Sequence, residues 1–499
     1  MVLRVQESLS VVDSRTNKSY TIPITDNTIS ASDFEAIKAT RPEYDGEFPV
    51  DAIEEGLKIF DLGLKNTACV DSKVSYIDGK QGYMQVRDRS IDELFRNNDY
   101  EEVLFLLIWG HLPSAEEKST TRKALALEMT QVPQSAKDAI RALPKNASMG
   151  PMILAGLSAY VAVDEEGMAS KSQLAALYQG NIEAVDRAVV HTLAAVATCI
   201  ALAYCHTRGK EFTPARADGT FIGNTLLMMG KVDADGNPDA RLEGVLEKLW
   251  VLYAEHGLSN STATMLCAAS TLTDPISASI AGIVSAYGPL HGGAIDLAYH
   301  QLKLIGTPEN VPPLIAAVKA KKQRLFGYGH RIYKKADPRC KFLYQMIKDT
   351  MATKDANKAP QSSSSSAALG EDARLLEVAL TIDRVASTDE YFTSRQLVAN
   401  ADLLGALLYS SLGFERDLIL PLAVQARMAG AMAHWREVMT AGQGPAPLWR
   451  PLQLFSGIDA RDEVLAEKKR KMKAQKVAFK NAAEQGAETR EVTVREVAA

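Results

Sequence analysis

From Ile91 onward the apolar residues of this chain recur every three and four positions, and that period constrains the fold more than any other feature of the sequence. EEVLFLLIWGHL, SAKDAIRALP, AVDRAVVHTLAAVATCIALAYC and RLEGVLEKLWVLYAEHG each place an apolar stripe along a helix, with Pro, Gly or Asp in the gaps between them. Few segments alternate with period two; SYTIPI, within the polar first 60 residues, is one. The body is therefore expected to be almost all α-helical, with short strands near the N-terminus. No repeat of fixed period is visible.

The chain has 499 residues, 46% hydrophobic and 23% charged, which excludes a mostly disordered polymer. At about 150 residues per domain it holds about three domain-sized units, or one large core with a smaller domain. Either arrangement can bury a deep, water-excluding site. The net charge of −5, from 56 basic and 61 acidic residues, gives no whole-protein field for nucleic acid. The longest apolar stretch, Val189 to Cys205, is broken by His191, Thr192 and Thr198. It is shorter than the roughly 20 residues of a bilayer span, so a buried core helix is expected and no membrane partner.

Cys69, Cys199, Cys205, Cys267 and Cys340 show no paired metal spacing and read as reduced thiols of an intracellular protein. MVLRVQESLSVVD has no signal-peptide core, and Glu7 and Asp13 argue against a transit peptide. Val497-Ala498-Ala499 is not a peroxisomal address. The expected location is intracellular, with cytoplasm and organelle both open. Lys354 to Gly370, with its run Ser362 to Ser366, reads as a flexible loop between helices. Asp459 to Ala499 is a charged tail. Its cluster Lys468, Lys469, Arg470, Lys471 and Lys473 is flanked by Glu463, Glu467 and Glu484, which favours a solvated helix over a nucleic-acid patch.

Chemistry concentrates in a few segments. His111, His191, His206 and His300 sit in helical patterns without polar company and read as packing residues; His256, His291, His330 and His434 have unusual contexts. His291 lies in Gly288-Pro289-Leu290-His291-Gly292-Gly293. Held at a helix start, its ring would stay neutral and could donate to a developing enolate; it could equally be a turn histidine capping a helix. His330 lies in GYGHRIYKKADPR, residues 327–339, where one histidine, two arginines and two lysines follow a glycine turn. Such density suits a bound anion, a carboxylate held in two-point contacts, or else a surface basic loop. Asp402, in Asn400-Ala401-Asp402-Leu403-Leu404-Gly405, is a general-base candidate or a helix N-cap. His256, in AEHGLSNST, is a hydrogen-bonding ligand or a helix-end histidine. Lys319, Lys321, Lys322 and Arg324 could meet phosphates or form a solvated face. There is no metal pattern, Walker loop or dinucleotide fingerprint.

Taken together, SKVSYIDGKQGYMQVRDRSIDELF (72–95), AEHGLSNST, GPLHGG, GYGHRIYKKADPR, the Asn400–Asp402 site, QARMAGAMAHW and Trp449-Arg450-Pro451 occur in the order found in the citrate synthase family, which this chain resembles over roughly residues 60–458. The resemblance implies an all-α, two-domain helical fold with a short N-terminal β segment, as a homodimer. A large domain would span about 60–295 and 404–458, and a small CoA-binding domain 296–403. Residues 1–59 and 459–499 would be extensions. It implies condensation of an acyl-CoA with oxaloacetate, then thioester hydrolysis, with no bound cofactor or metal and no nucleic-acid partner. His291 would stabilise the enolic intermediate, Asp402 would remove the α-proton, and His330 would polarise the keto group. His256, Arg339, Arg427 and Arg450 would hold oxaloacetate, Arg450 coming from the neighbouring subunit. Lys319, Lys321, Lys322 and Arg324 are the candidate CoA-phosphate ligands.

The departures concern size. After its aspartate the family usually has Phe-Tyr-Ser-Gly, where this chain has Leu403-Leu404-Gly405-Ala406; many members have Phe where this chain has Ala263 and Ala423. Smaller residues would leave room beside the acyl α-carbon, so an alkylcitrate-type synthase using a chain longer than acetyl is expected. The alternatives are an ordinary citrate or 2-methylcitrate synthase using acetyl-CoA or propionyl-CoA, the related citryl-CoA lyase module, or a non-catalytic helical dimer that binds CoA or a partner.

Overall fold

The structure is a computed structural model. It describes residues 7–38, 56–164, 177–178, 180–356, 371–441, 447–454, 473–474 and 477. The serine run and nearly all of the charged tail lie outside the described residues. Two compact units are present, residues 1–71 with 451–499, and residues 72–450. In the first, strands β1 (Ser8–Asp13) and β2 (Lys18–Pro23) form an antiparallel hairpin in the register Ser8 to Pro23. The alternation in SYTIPI thus appears as β2, with Ile22 buried beneath it.

The second unit opens with a three-stranded antiparallel sheet, β3 (Ser75–Asp78), β4 (Tyr83–Val86) and β5 (Arg89–Ser90). Among the described residues every regular element after it is helical. Local signals set the helix ends. Asp99 and Ser114 each open a helix with a capping box, closed by Glu102 and Glu117. At the centre lies the 27-residue helix Ile182–Arg208, capped by Asn181 and stopped by Gly209 at φ 62°. It is the one helix among the described residues long and apolar enough to cross a membrane, and its apolar window is 89% buried in the protein. The core reading therefore rests on burial and not on shortness, because the helix runs well beyond Val189 to Cys205. Its alanines at 194, 195, 197, 201 and 203 are buried to the backbone, which lets neighbours approach closely. The last long helix, Arg416–Thr440, packs against it and against Tyr100–Trp109.

Three of the four histidines expected to lack polar company have it. His191 Nδ1 meets Glu128 at 3.0 Å, His111 Nε2 meets Glu117 at 3.1 Å, and His206 Nε2 meets the Leu143 carbonyl at 2.7 Å. Partners 6 and 63 residues away are invisible to a local pattern.

Candidate active site

The GYGH segment is a turn that needs its glycines. Gly327 and Gly329 have φ of 72° and 88°, and a Cβ on Gly327 would meet the Leu403 Cα at 2.8 Å. The turn zips against residues 398–400. The Gly329 N–H donates to the Val398 carbonyl at 2.6 Å, the Asn400 N–H to Gly327 at 3.0 Å, and the Asn400 side-chain amide to the Gly329 carbonyl at 3.0 Å. His330 is thereby fixed beside the start of the helix Ala401–Ser411, which carries Asp402.

Asn400, not Asp402, caps that helix, its side chain accepting from the Asp402 N–H at 3.0 Å. Asp402 stands in the first turn with its carboxylate making no hydrogen bond among the described residues. A helix start favours the anion. Burial outweighs this and pushes the Asp402 carboxyl up to about 6, with Arg339 and Arg427 opposing and Asp337 assisting.

His330 Nδ1 accepts from the backbone N–H groups of Ile332 and Tyr333 at 3.0 and 3.1 Å. The proton of the neutral ring is therefore assigned to Nε2. Burial, then the Arg339 charge, holds this imidazole down at about 4. His291 sits in the turn before the helix Ala294–Ile305. Its Nε2 accepts from the Ser261 N–H at 3.2 Å and lies 2.8 Å from the Ser261 hydroxyl, so its proton is assigned to Nδ1. Ser261 is in the first turn of the helix Asn260–Ala269, where an amide has no intrahelical acceptor. Burial first and the Arg427 charge second, rather than its own helix start, hold the His291 imidazole down at about 4.

The arginines tie these groups together. Arg339 is buried in a two-point pair with Asp337, Nε to Oδ1 at 2.9 Å and Nη2 to Oδ2 at 2.7 Å. Asp337 Oδ2 also accepts from the Ala401 N–H at 3.2 Å. Arg427 Nε donates to the Tyr253 carbonyl at 2.7 Å. Arg339 bears electrostatically on His256, His330 and Asp402, and Arg427 on His256, His291 and Asp402. His256 is buried, its Nε2 3.2 Å from the Tyr333 hydroxyl and its ring 5.2 Å from that of His330. Burial holds its imidazole well below the usual range. The result, among the described residues, is two neutral imidazoles whose N–H groups have no partner, one carboxylate with a raised pKa and no hydrogen bond, and two guanidinium groups.

Within the basic segment the expected anion ligands separate. Arg339 is buried, whereas Arg331, Lys334 and Lys335 are exposed. Arg450 is exposed, and among the described residues it has no hydrogen bond or ion pair with the cluster. Ala263 and Ala423 are half-buried; Leu403 and Leu404 are buried, Leu403 beneath Gly327.

A cleft of about 640 Å³ leads away from His330 and is lined by Lys321, Lys322, Arg324, Tyr328 and Phe392 among others. None of Ala263, Leu403, Leu404 and Ala423 lines it. Lys319 is not in its wall; it ends the helix Val311–Lys319 and turns to Asp389 at 2.8 Å, so it leaves the candidate phosphate set.

Sequence reasoning missed Asp337, Tyr253, Ser261 and Asn400 as supports. Only Asp337 carried a local signal, the spacing Asp337-Pro338-Arg339, which lets a carboxylate clasp an arginine two residues on.

The profile of the family described as "Citrate synthase, C-terminal domain" matches residues 63–452. A citrate synthase-like protein, oryE, of Aspergillus oryzae is 42% identical over 91% of this chain and 96% of its own length. An alkylcitrate synthase, phiJ, of a fungal species is 36% identical over 87% of this chain and 91% of its own. The solved citrate synthase of Pyrobaculum aerophilum is 27% identical, with a TM-score of 0.69 over 79% of this chain and 92% of that one. That of Thermoplasma acidophilum, solved in ternary complex with carboxymethyl coenzyme A and oxaloacetate, shares the fold at 22% identity, with a TM-score of 0.70 over 81% of this chain and 98% of that one.

Proposed function

The chain belongs to the citrate synthase family, and we propose that within it this protein is an alkylcitrate-type synthase whose acyl-CoA is longer than acetyl-CoA. It is a transferase of the citrate synthase type, condensing an acyl-CoA with oxaloacetate, and the acyl-CoA is a co-substrate. One observation carries the chemistry: a free carboxylate raised to about 6 shares the arginine pair with two neutral imidazoles whose outward nitrogens are donors.

In this reading Asp402 removes the α-proton of the acyl thioester, while His291 Nδ1–H donates to the oxygen of the enolate that forms. The enolate carbon attacks the keto carbon of oxaloacetate, whose oxygen accepts from His330 Nε2–H. His256, Arg339 and Arg427 hold the dicarboxylate, with Arg450 of a second copy completing the grip in a homodimer. Water then cleaves the thioester, releasing CoA and the alkylcitrate. Lys321, Lys322 and Arg324, across the cleft from His330, meet the CoA phosphates. Residues 296–403 act as a small domain that closes over the site and excludes water.

Two facts support the longer chain. Ala263, Leu404 and Ala423 are smaller than the aromatic residues usual in the family, and a relative named an alkylcitrate synthase covers most of this chain. Each buried CH₂ is worth about 0.8 kcal/mol, or about fourfold in binding. Purified enzyme given oxaloacetate and a ladder of acyl-CoAs tests the reading through CoA release. The expected optimum lies beyond acetyl; fastest turnover with acetyl-CoA overturns it.

A further inference from the structure

Tyr253 ends the helix Ala240–Tyr253 and is buried. Three parts of it touch three parts of the site. Its backbone carbonyl accepts from Arg427 Nε at 2.7 Å. Its ring faces Arg339, with Cζ 6.0 Å from the centroid. Its hydroxyl donates to the Ala401 carbonyl at 3.1 Å, one residue before Asp402.

That last bond exists because residue 405 is glycine. A Cβ built on Gly405 would lie 1.8 Å from the Tyr253 hydroxyl oxygen and 2.9 Å from the ring carbon bearing it. Glycine inside a helix is less favourable than alanine, because it gives up more backbone freedom on folding. The gap it leaves is filled by the phenol. In a regular helix the Gly405 N–H already bonds the Ala401 carbonyl, so the phenol adds a second donor to the turn that holds Asp402. Burial and the nearby Asp402 carboxylate keep the phenol protonated, hence a donor.

We propose that Tyr253 is a positioning residue for the condensation, its hydroxyl locking the Ala401–Gly405 turn so that Asp402 is held in register with Arg339 and Arg427. Base and dicarboxylate grip are then aligned by one side chain, and Gly405 is the complement that admits it. The kinetic half of this inference rests on the function proposed above.

Tyr253→Phe removes the hydroxyl and keeps both the ring under Arg339 and the carbonyl for Arg427. Without the hydroxyl the turn can shift, and a displaced base costs more in rate than the lost bond alone would. In Tyr253→Phe kcat is expected to fall about tenfold, with the KM for oxaloacetate within about twofold of wild type. Tyr253→Leu, which also loses the ring, should raise that KM as well. Gly405→Ala should lower kcat like Tyr253→Phe, by displacing the hydroxyl. Hydrogen exchange at the first turn of the Asp402 helix, read in all three variants without substrate, should quicken while the central helix Ile182–Arg208 stays protected. Unchanged exchange at that turn in Tyr253→Phe overturns the inference, whatever the enzyme's activity. So does wild-type kcat in Tyr253→Phe, or a loss of kcat that tracks a general loss of protection. Wild-type protein inactive with every acyl-CoA would instead overturn the proposed function, leaving the exchange result to decide the role of Tyr253.

Discussion

Asp337 clasps Arg339 through both carboxylate oxygens, and the same Oδ2 takes the Ala401 N–H that opens the helix of Asp402. One buried carboxylate therefore sets both the Arg339 guanidinium and the start of the helix that carries Asp402. The Arg339 charge holds Asp337 below the usual carboxylate range in spite of its burial. Asp337→Asn should leave the Arg339 charge buried and unmatched. Losing one partner of such a pair costs about 3–5 kcal/mol. Chemical denaturation should show that loss, and oxaloacetate titration should show weakened binding.

Asp402 must be ionised to act as a base. With its carboxyl at about 6 in the unliganded protein, kcat/KM should fall about tenfold per pH unit below that value, and a pH–rate profile checks this. Asp402→Asn should lower kcat by about 10²-fold or more while the fold and oxaloacetate binding persist.

The same shift has a stability cost of opposite sign. A carboxyl raised on folding from 3.8 to about 6 favours the protonated native state. Its contribution is present below pH 3.8 and is lost as pH rises through about 6. Asp402→Asn should therefore be more stable than wild type at pH 7.5, by at most about 3 kcal/mol, with the gain vanishing near pH 4. Urea unfolding at the two pH values measures it.

His434 and Glu255 form a buried pair, Nε2 to Oε1 at 3.3 Å, with Ser72 at His434 Nδ1 and Ser75 at Glu255. The Glu255 carboxylate raises His434 above 6.5, and His434 helps to lower Glu255 below 4.5. The His434 share of stability is complete below pH 6.5 and is lost as pH rises through its folded value. The Glu255 share is present above pH 4.5 and is lost as pH falls through its own. In His434→Gln the loss of stability should be greatest between those limits and on the order of 3 kcal/mol. Thermal melts across pH 4–9 test this.

In the cleft, Lys321→Ala, Lys322→Ala and Arg324→Ala should each raise the KM for acyl-CoA several-fold, with the effect shrinking at high salt. Lys319→Ala should leave that KM unchanged, because Lys319 is committed to Asp389. Steady-state kinetics at two ionic strengths separate the groups.

Refilling the acyl side should reverse the proposed preference. Ala423→Phe or Leu404→Phe is expected to favour shorter chains by about fourfold for each CH₂ excluded. The acyl-CoA ladder run on each variant checks this.

The amino-acid sequence by itself determined the helical body and the short strands, because periodicity and capping residues act within a few positions along the chain. It also contained the motifs that single out His291, His330, Asp402, Arg339 and Arg427. Tertiary structure alone decided which histidine nitrogen is free, since Ser261 lies 30 residues from His291. It alone removed Lys319 from the cleft, through a partner 70 residues away. It alone revealed Tyr253 reaching through Gly405 to Ala401, 148 residues on. Protonation, orientation and room depend on burial and on groups distant in sequence, and those are properties of packing that no local pattern encodes.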